Sequence, residues 1–159
     1  MNVVIVGAWN RSEAEDTEVV NKLLDMLAQA YPKLYVITTG CDRSIGKIVK
    51  ARCMPRTRQL RGEFDFVEIA IRIYCDQPPK AKLAEIWTAR NGMLAELGEE
   101  FHLFMSQDQN PSAWLPDLYN RVKALGRPYA VYMPGEKKPK WPEIYTVPVA
   151  SKAVAAKAE

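Results

Sequence analysis

The sequence predicts an α/β protein of the Rossmann-like kind, a three-layer domain with a mainly parallel sheet of five strands in the order 3-2-1-4-5. Three observations predict this fold class. Short apolar runs typical of buried strands alternate with longer segments of helical periodicity. The first run, Val3 to Val6, is β-branched throughout and ends at Gly7, as expected of a strand covered on both faces. A chain of 159 residues is long enough to bury one core without disulfides or metal.

The elements of the first half follow directly from that strand. A first helix over Glu13–Ala30 has an acidic first turn and apolar residues at helical spacing, and it stops before Pro32. A second strand, a second helix and a third strand are predicted over Leu34–Thr38, Arg43–Cys53 and Phe64–Cys75. Because each helix crosses back over the sheet, we expect the strands to be parallel.

The second half continues the alternation. A third helix over Pro79–Leu97 is predicted to bury one stripe, formed by Leu83, Trp87, Arg90, Leu94 and Leu97. The remaining elements are a strand over Phe101–Met105, a helix over Ser112–Leu125 with Leu125 on its inner side, and a strand over Pro128–Met133. We assign residues 1–134 to this domain and residues 135–159, rich in Pro, Lys and Ala, to a C-terminal extension.

Composition narrows the class of protein. The chain is 48% hydrophobic and 26% charged, as in ordinary globular proteins, and no apolar run approaches the length of a membrane span. No secretory signal is visible, so we expect a soluble cytoplasmic protein without a membrane partner. Cys41, Cys53, Cys75 and the single histidine, His102, lack metal-ligand spacing, so we expect no metal and no cofactor.

The loop after the first strand is the first candidate ligand site. It contains Gly7, Trp9 and Arg11 and leads into a helix N-terminus, where free backbone amides can hold a phosphate. The loop lacks the GxGxxG pattern, which argues against a nicotinamide or flavin cofactor. A plain turn between strand and helix is the alternative explanation.

The turn after the second strand is the second candidate, with Thr39, Gly40 and Arg43. It differs from a P-loop because five residues separate Gly40 from Gly46, where four are needed, and Ile48 replaces the hydroxyl residue that holds magnesium. We therefore expect phosphate binding without phosphoryl transfer at this turn.

The third helix supplies the third candidate, Arg90 and Asn91. Arg90 falls on the predicted inner stripe, and an unpaired buried guanidinium costs several kcal/mol. We expect it to meet a carboxylate, carbonyl oxygens or an anionic ligand. Pairing with Glu85 or Glu96 at the helix surface is the alternative.

These three features, in this order, resemble the SLOG superfamily, which includes the YspA-type proteins, the LOG nucleotide phosphoribohydrolases and the DprA DNA-processing proteins. The resemblance covers residues 2–133 and rests on the loop Val3–Arg11, the turn Thr38–Arg43, and Arg90 and Asn91 with the nearby Met93. It implies a nucleotide or nucleotide-derived ligand. The pocket residues it implies are Gly7, Arg11, Thr39, Gly40, Arg43, Arg90 and Asn91, with Trp9 in the same loop.

The segment after the fourth strand departs from the LOG pattern. LOG-type hydrolases have a glycine-rich turn with a glutamate there, whereas this chain has Ser106 to Pro111. Asp108 is the nearest substitute acid, so Asp108 and Arg90 are the candidate catalytic residues. Whether the protein hydrolyses an N-glycosidic bond, as a weak nucleotide phosphoribohydrolase, stays open.

A cluster of basic residues supports an alternative function. Lys47, Lys50, Arg52, Arg56, Arg58 and Arg61 lie within fifteen residues and would suit single-stranded nucleic acid, as in the DprA branch. A structural or assembly protein without a ligand is a further alternative. The expected partners are thus a nucleotide-derived small molecule or, in the alternative function, single-stranded nucleic acid. The protein could in either case form a homo-oligomer.

Overall fold

The computed structural model describes residues 1–39, 43–53, 65–69, 80–107 and 114–142. These residues form strands β1 (Asn2–Gly7), β2 (Tyr35–Thr39), β3 (Asp65–Ile69), β4 (Glu100–Phe104) and β5 (Tyr129–Tyr132). The helices are α1 (Glu13–Ala30), α2 (Ser44–Cys53), α3 (Lys80–Leu97) and α4 (Trp114–Ala124). The predicted α/β alternation is confirmed, and the bounds of α1 match the prediction. The rest of the predicted third strand lies outside the described residues.

The sheet follows the order β3-β2-β1-β4-β5, and every neighbouring pair of strands is parallel. From β1 the chain goes first to β2 and β3 on one side and later to β4 and β5 on the other. The direction of winding therefore reverses between β1 and β4. In open α/β sheets, ligands usually bind beyond the carboxyl ends of the strands at such a reversal.

Helices cover both faces of the sheet because successive side chains of a strand point to opposite sides. Val3 and Ile5 of β1 pack with apolar residues of α1 and α2. Val4 and Val6 of the same strand pack with apolar residues of α3 and α4. All four valine and isoleucine side chains are fully buried, which explains why the stretch from Val3 to Val6 has no polar position.

The prediction was wrong for two residues that it placed in the core. Leu97 is 47% exposed and Leu125 is 54% exposed. The buried side of α3 is centred on Asn91, Leu94 and Ala95, so the helix is rotated away from the predicted stripe. Leu125 follows the end of α4 in a Schellman turn closed by Gly126, whose φ is +63°, and it therefore leaves the inner side of the helix.

Residues 133–142, here called the C-terminal strap, fold back along β5. Lys140 donates its backbone N–H to the Tyr132 hydroxyl at 3.0 Å and its Nζ to the Val131 carbonyl at 3.0 Å. The Val131 carbonyl lies on the edge of β5 that has no neighbouring strand, so the lysine satisfies an edge acceptor. None of the described helices has the length and apolarity that crossing a membrane requires.

A buried network of hydrogen bonds joins β4 and β5 to the end of α1. His102 lies between Glu100, whose Oε1 is 2.8 Å from Nε2, and Tyr132, whose hydroxyl is 3.0 Å from Nδ1. Tyr31 donates its hydroxyl to the other oxygen of Glu100 at 2.5 Å. A carboxylate only accepts, so Nε2 carries the proton and Nδ1 accepts from Tyr132. His102 is thus a core histidine with both ring nitrogens hydrogen-bonded.

The protonation states of Tyr31, His102 and Tyr132 follow from the burial of this hydrogen-bond network. Burial first, and then the Glu100 carboxylate, raises the pKa of Tyr31 to about 12, and burial raises the pKa of Tyr132 to about 12. Burial lowers the pKa of His102 despite the opposing effect of Glu100. Both tyrosines therefore stay donors, and the imidazole stays neutral.

We predict that stability falls as the pH is lowered from 7 to 5.5. Below about pH 6.5 the histidine of the unfolded chain binds a proton that the folded protein excludes, so stability rises with pH through this window. The slope approaches about 1.4 kcal/mol per pH unit. Urea unfolding at a series of pH values measures it. In His102→Gln this slope should be lost, and a slope that survives the substitution would assign it to other groups.

Candidate functional site

The buried side chain of Arg11 holds the loop after β1 in place. Its guanidinium donates four hydrogen bonds, two to the carboxylate of Asp16 and two to the carbonyls of Met105 and Tyr132. The guanidinium carbon also lies 5.5 Å from the centre of the Phe104 ring, and only 2% of the side chain is exposed. Arg11 was predicted to line the ligand pocket. The structure places it beneath the loop, where it joins α1 to the ends of β4 and β5.

The same loop presents Trp9 to solvent. Ala8 donates its N–H to the Phe104 carbonyl at 2.9 Å, and Asn10 donates to the Ser106 hydroxyl at 2.9 Å, so the loop is tied to the end of β4 on both sides of Trp9. The indole is nevertheless 68% exposed. A large aromatic surface is thus displayed on a fixed loop at the reversal between β1 and β4.

Gly7 is required by packing between elements. A Cβ at this position would lie 2.2 Å from Cγ1 of Ile45 in α2 and 3.0 Å from Cβ of Phe104. The glycine therefore lets α2 approach the end of β1. Its predicted contact with a ligand is not needed to explain this residue.

The turn between β2 and α2 is anchored by a strained serine. Ser44 has a φ of +52° and is 3% exposed, and its hydroxyl donates to the Ala8 carbonyl at 2.9 Å. Thr39 is also buried, whereas the Arg43 side chain is exposed. Gly40 lies outside the described residues. Ser44 thus holds the start of α2 against the loop after β1, and Arg43, directly before it, is exposed.

Carboxylates occupy the N-termini of both neighbouring helices. Glu13 accepts from the Ser44 N–H at 3.1 Å and from Lys47 at 2.7 Å, and the lysine holds the pKa of Glu13 below its usual value. The first turn of α1 carries Glu15 and Asp16 as well. These side chains already supply the negative charge that a helix N-terminus favours, so they disfavour a phosphate at either position.

Arg90 and Asn91 contact α4 on the opposite face of the sheet. The Arg90 guanidinium lies 4.1 Å from the centre of the Trp114 ring, a cation–π contact that the sequence did not reveal. Asn91 is fully buried and donates to the Trp114 carbonyl at 2.7 Å and to Asp117 at 2.8 Å. Within the described part of the chain, its Oδ1 accepts no hydrogen bond. These two residues fix the start of α4, which follows the end of β4.

The described part of the basic cluster faces the acids of α1. Lys47 pairs with Glu13 at 2.7 Å, and Arg52 pairs with Asp25 at 3.0 Å. Lys50 lies half-buried on α2. Lys47 and Arg52 border a shallow groove of about 340 Å³ between α1 and α2. Arg56, Arg58 and Arg61, and the candidate acid Asp108, lie outside the described residues.

The described residues contain no group of three or more histidine, cysteine, aspartate or glutamate side chains that could hold a metal ion. Cys53 is a buried thiol, and burial raises its pKa to about 12, which makes it a poor nucleophile near neutral pH. Cys41 and Cys75 lie outside the described residues.

Sequence reasoning missed several residues that shape this site. Ser44, Glu13 and the Asn10–Ser106 hydrogen bond were not predicted. The acidic residue directly after the helix cap Ser12 was visible in the sequence, but its contact with α2, 31 positions away, was not. A serine at positive φ has no sequence signature comparable to that of glycine.

Comparison with known proteins adds no assignment, because no protein-family model and no curated protein matches the sequence. The resemblance to the SLOG superfamily thus depends on the loop Val3–Arg11, the turn Thr38–Arg43, and Arg90 and Asn91 with the nearby Met93.

We predict that Ser44→Ala and Ser44→Gly differ in stability. Both variants lose the hydroxyl bond to the Ala8 carbonyl, which costs about 1 to 2 kcal/mol. Alanine keeps the backbone strain of positive φ, whereas glycine relieves about 1 kcal/mol of it. Ser44→Gly should therefore be the more stable variant by about 1 kcal/mol in urea unfolding. Equal stabilities would mean that positive φ is not strained here.

Proposed function

We propose that the protein binds a nucleotide-derived small molecule beyond the carboxyl ends of β1 and β4. The observation that carries this proposal is Trp9, an indole 68% exposed on a loop that is hydrogen-bonded to β4 on both sides. A fixed aromatic face loses little entropy on binding, and stacking of one base contributes about 1 to 3 kcal/mol. The position at the reversal of the sheet supports the same site.

The charges around Trp9 favour one orientation of the ligand. Glu13, Glu15 and Asp16 make the N-terminus of α1 unfavourable for a phosphate. Arg43 is exposed directly before α2 and supplies a positive charge on the neighbouring turn. We therefore propose that the base stacks on Trp9 and that any phosphate lies towards Arg43, rather than over the first turn of α1.

Nucleic-acid binding through the basic cluster is less favoured. Two of its three described members, Lys47 and Arg52, already pair with carboxylates of α1. Binding a phosphate chain there would require breaking those pairs. No described observation favours this alternative over the small-molecule site.

We predict that Trp9→Ala weakens binding of adenosine or guanosine monophosphate about tenfold or more, because the stacking surface is lost. Isothermal titration calorimetry measures the affinity. Trp141→Ala is the matched control, since Trp141 is 53% exposed on the C-terminal strap, and it should bind as the wild type does. Equal loss in both variants, or no binding by the wild type, would refute the site.

We predict that bound nucleoside monophosphates release free base slowly or not at all. A positioned acid or base contributes about 10² to 10⁴ in rate, and the glutamate expected of LOG-type enzymes has no counterpart here other than Asp108. Chromatography of the released base is the assay. Robust turnover that disappears in Asp108→Asn would identify the protein as a working hydrolase.

A further inference from the structure

The hydroxyl of Tyr132 contacts two hydrogen-bond acceptors. Nδ1 of His102 lies 3.0 Å from the hydroxyl oxygen, and the backbone carbonyl of Lys140 in the C-terminal strap lies 3.2 Å from it. The same oxygen accepts the backbone N–H of Lys140 at 3.0 Å. A phenol carries one proton and donates one hydrogen bond. While His102 is neutral with its proton on Nε2, its Nδ1 and the strap carbonyl therefore compete for the Tyr132 proton.

The other described contacts of the strap with β5 do not involve this proton. Nζ of Lys140 donates to the Val131 carbonyl at 3.0 Å and forms an ion pair with Glu136. The ammonium also lies 5.6 Å from the centre of the Tyr132 ring. These contacts are the same whether His102 is neutral or charged. Among the described contacts of the strap, the bond from the Tyr132 hydroxyl to the Lys140 carbonyl is the one that depends on the histidine.

A proton on Nδ1 of His102 ends the competition. The ring then donates from Nδ1 to the Tyr132 oxygen and keeps its bond from Nε2 to Glu100 at 2.8 Å. The hydroxyl proton is no longer bound to the histidine and turns to the Lys140 carbonyl. The tyrosine oxygen now accepts from Nδ1 and from the Lys140 N–H, which matches its two lone pairs. Both atoms that competed for the proton are then hydrogen-bonded.

We propose that the C-terminal strap is a proton-sensitive latch, held more tightly to β5 when His102 is protonated than when it is neutral. The two states differ by one hydrogen bond, from the Tyr132 hydroxyl to the strap carbonyl. A neutral hydrogen bond shifts such an equilibrium about fivefold. The latch does not require the ligand proposed to stack on Trp9.

The charges around His102 are compatible with an imidazolium inside the fold. The Glu100 carboxylate is bonded to Nε2 and favours the charged ring, and the strap ammonium is paired with a carboxylate of its own. The described titratable and charged groups of this network, from β4, α1, the loop after β1, β5 and the strap, are Glu100, Tyr31, Arg11, Tyr132, Lys140 and Glu136. Burial lowers the pKa of His102 below 6.5. The latch therefore tightens at acidic pH, although the stability of the whole protein falls in the same direction.

Fluorine NMR of the full chain labelled with fluorotryptophan measures the latch. Trp141 directly follows Lys140 and reports whether the strap is bound, and Trp141→Phe assigns its resonance. We expect the ratio of open to bound strap to fall about fivefold while His102 becomes protonated, which NMR of its ring follows in the same samples. A ratio that stays constant or rises through the titration of His102 would overturn the proposal.

Substitutions test the latch near pH 7, where the wild-type histidine is neutral. His102→Leu removes one of the two competing acceptors, so its ratio of open to bound strap should be about fivefold lower than that of the wild type. Tyr132→Phe should release the strap, and the double variant should match Tyr132→Phe because the hydroxyl is then absent. A strap that opens in His102→Leu as often as in the wild type would contradict the competition for one proton.

Glu136→Gln is the matched control for the response to pH. It removes the titratable partner of Lys140 within the strap and leaves His102 and Tyr132 unchanged. The response should persist in this variant and disappear in Tyr132→Phe. A response that is lost in Glu136→Gln, or that survives in Tyr132→Phe, would assign the proton to a group other than His102 and overturn the proposal.

Discussion

The ion pair between Arg11 and Asp16 is the interaction on which the carboxyl edge of the sheet depends. An arginine buried without a partner costs several kcal/mol, so the loop after β1 can adopt its position only when Asp16 in the first turn of α1 is in place. The same guanidinium donates to carbonyls at the ends of β4 and β5. One side chain thereby links a loop, a helix and two strands, and fixes the surface from which Trp9 projects.

The contacts that carboxylates make with other groups of the protein also set the electrostatics of the proposed ligand site. Many Rossmann-like proteins leave a helix N-terminus open to a phosphate. Here Glu13 serves the start of α2, and Asp16 serves Arg11. The helix termini are stabilised from within, so recognition of a nucleotide-derived ligand would depend more on an aromatic face than on backbone amides. This charge distribution distinguishes the site from the phosphate loop that the sequence suggested.

The fold was more predictable than the site because periodicity is a local property and side-chain pairing is not. The stripe of α1 and the β-branched run of β1 identify their elements without knowledge of any neighbour. Arg11 and the carbonyl of Tyr132 are 121 positions apart, and no local pattern relates them. The rotation of α3 was mispredicted for a related reason, since apolar residues on both sides of a helix do not define which side is buried. Arg90 contacts the ring of Trp114, and considering charge alone does not suggest an aromatic partner.

Tyr132 lies where two buried polar systems meet. Its carbonyl accepts from Arg11, and its hydroxyl contacts His102 and Lys140. Of the described strands β5 comes last along the chain, and without it Arg11 would lack one of its two carbonyl acceptors and Nδ1 of His102 would lack its donor. The packing of this one strand therefore completes both buried hydrogen-bond systems and supplies the hydroxyl to which the C-terminal strap is bound.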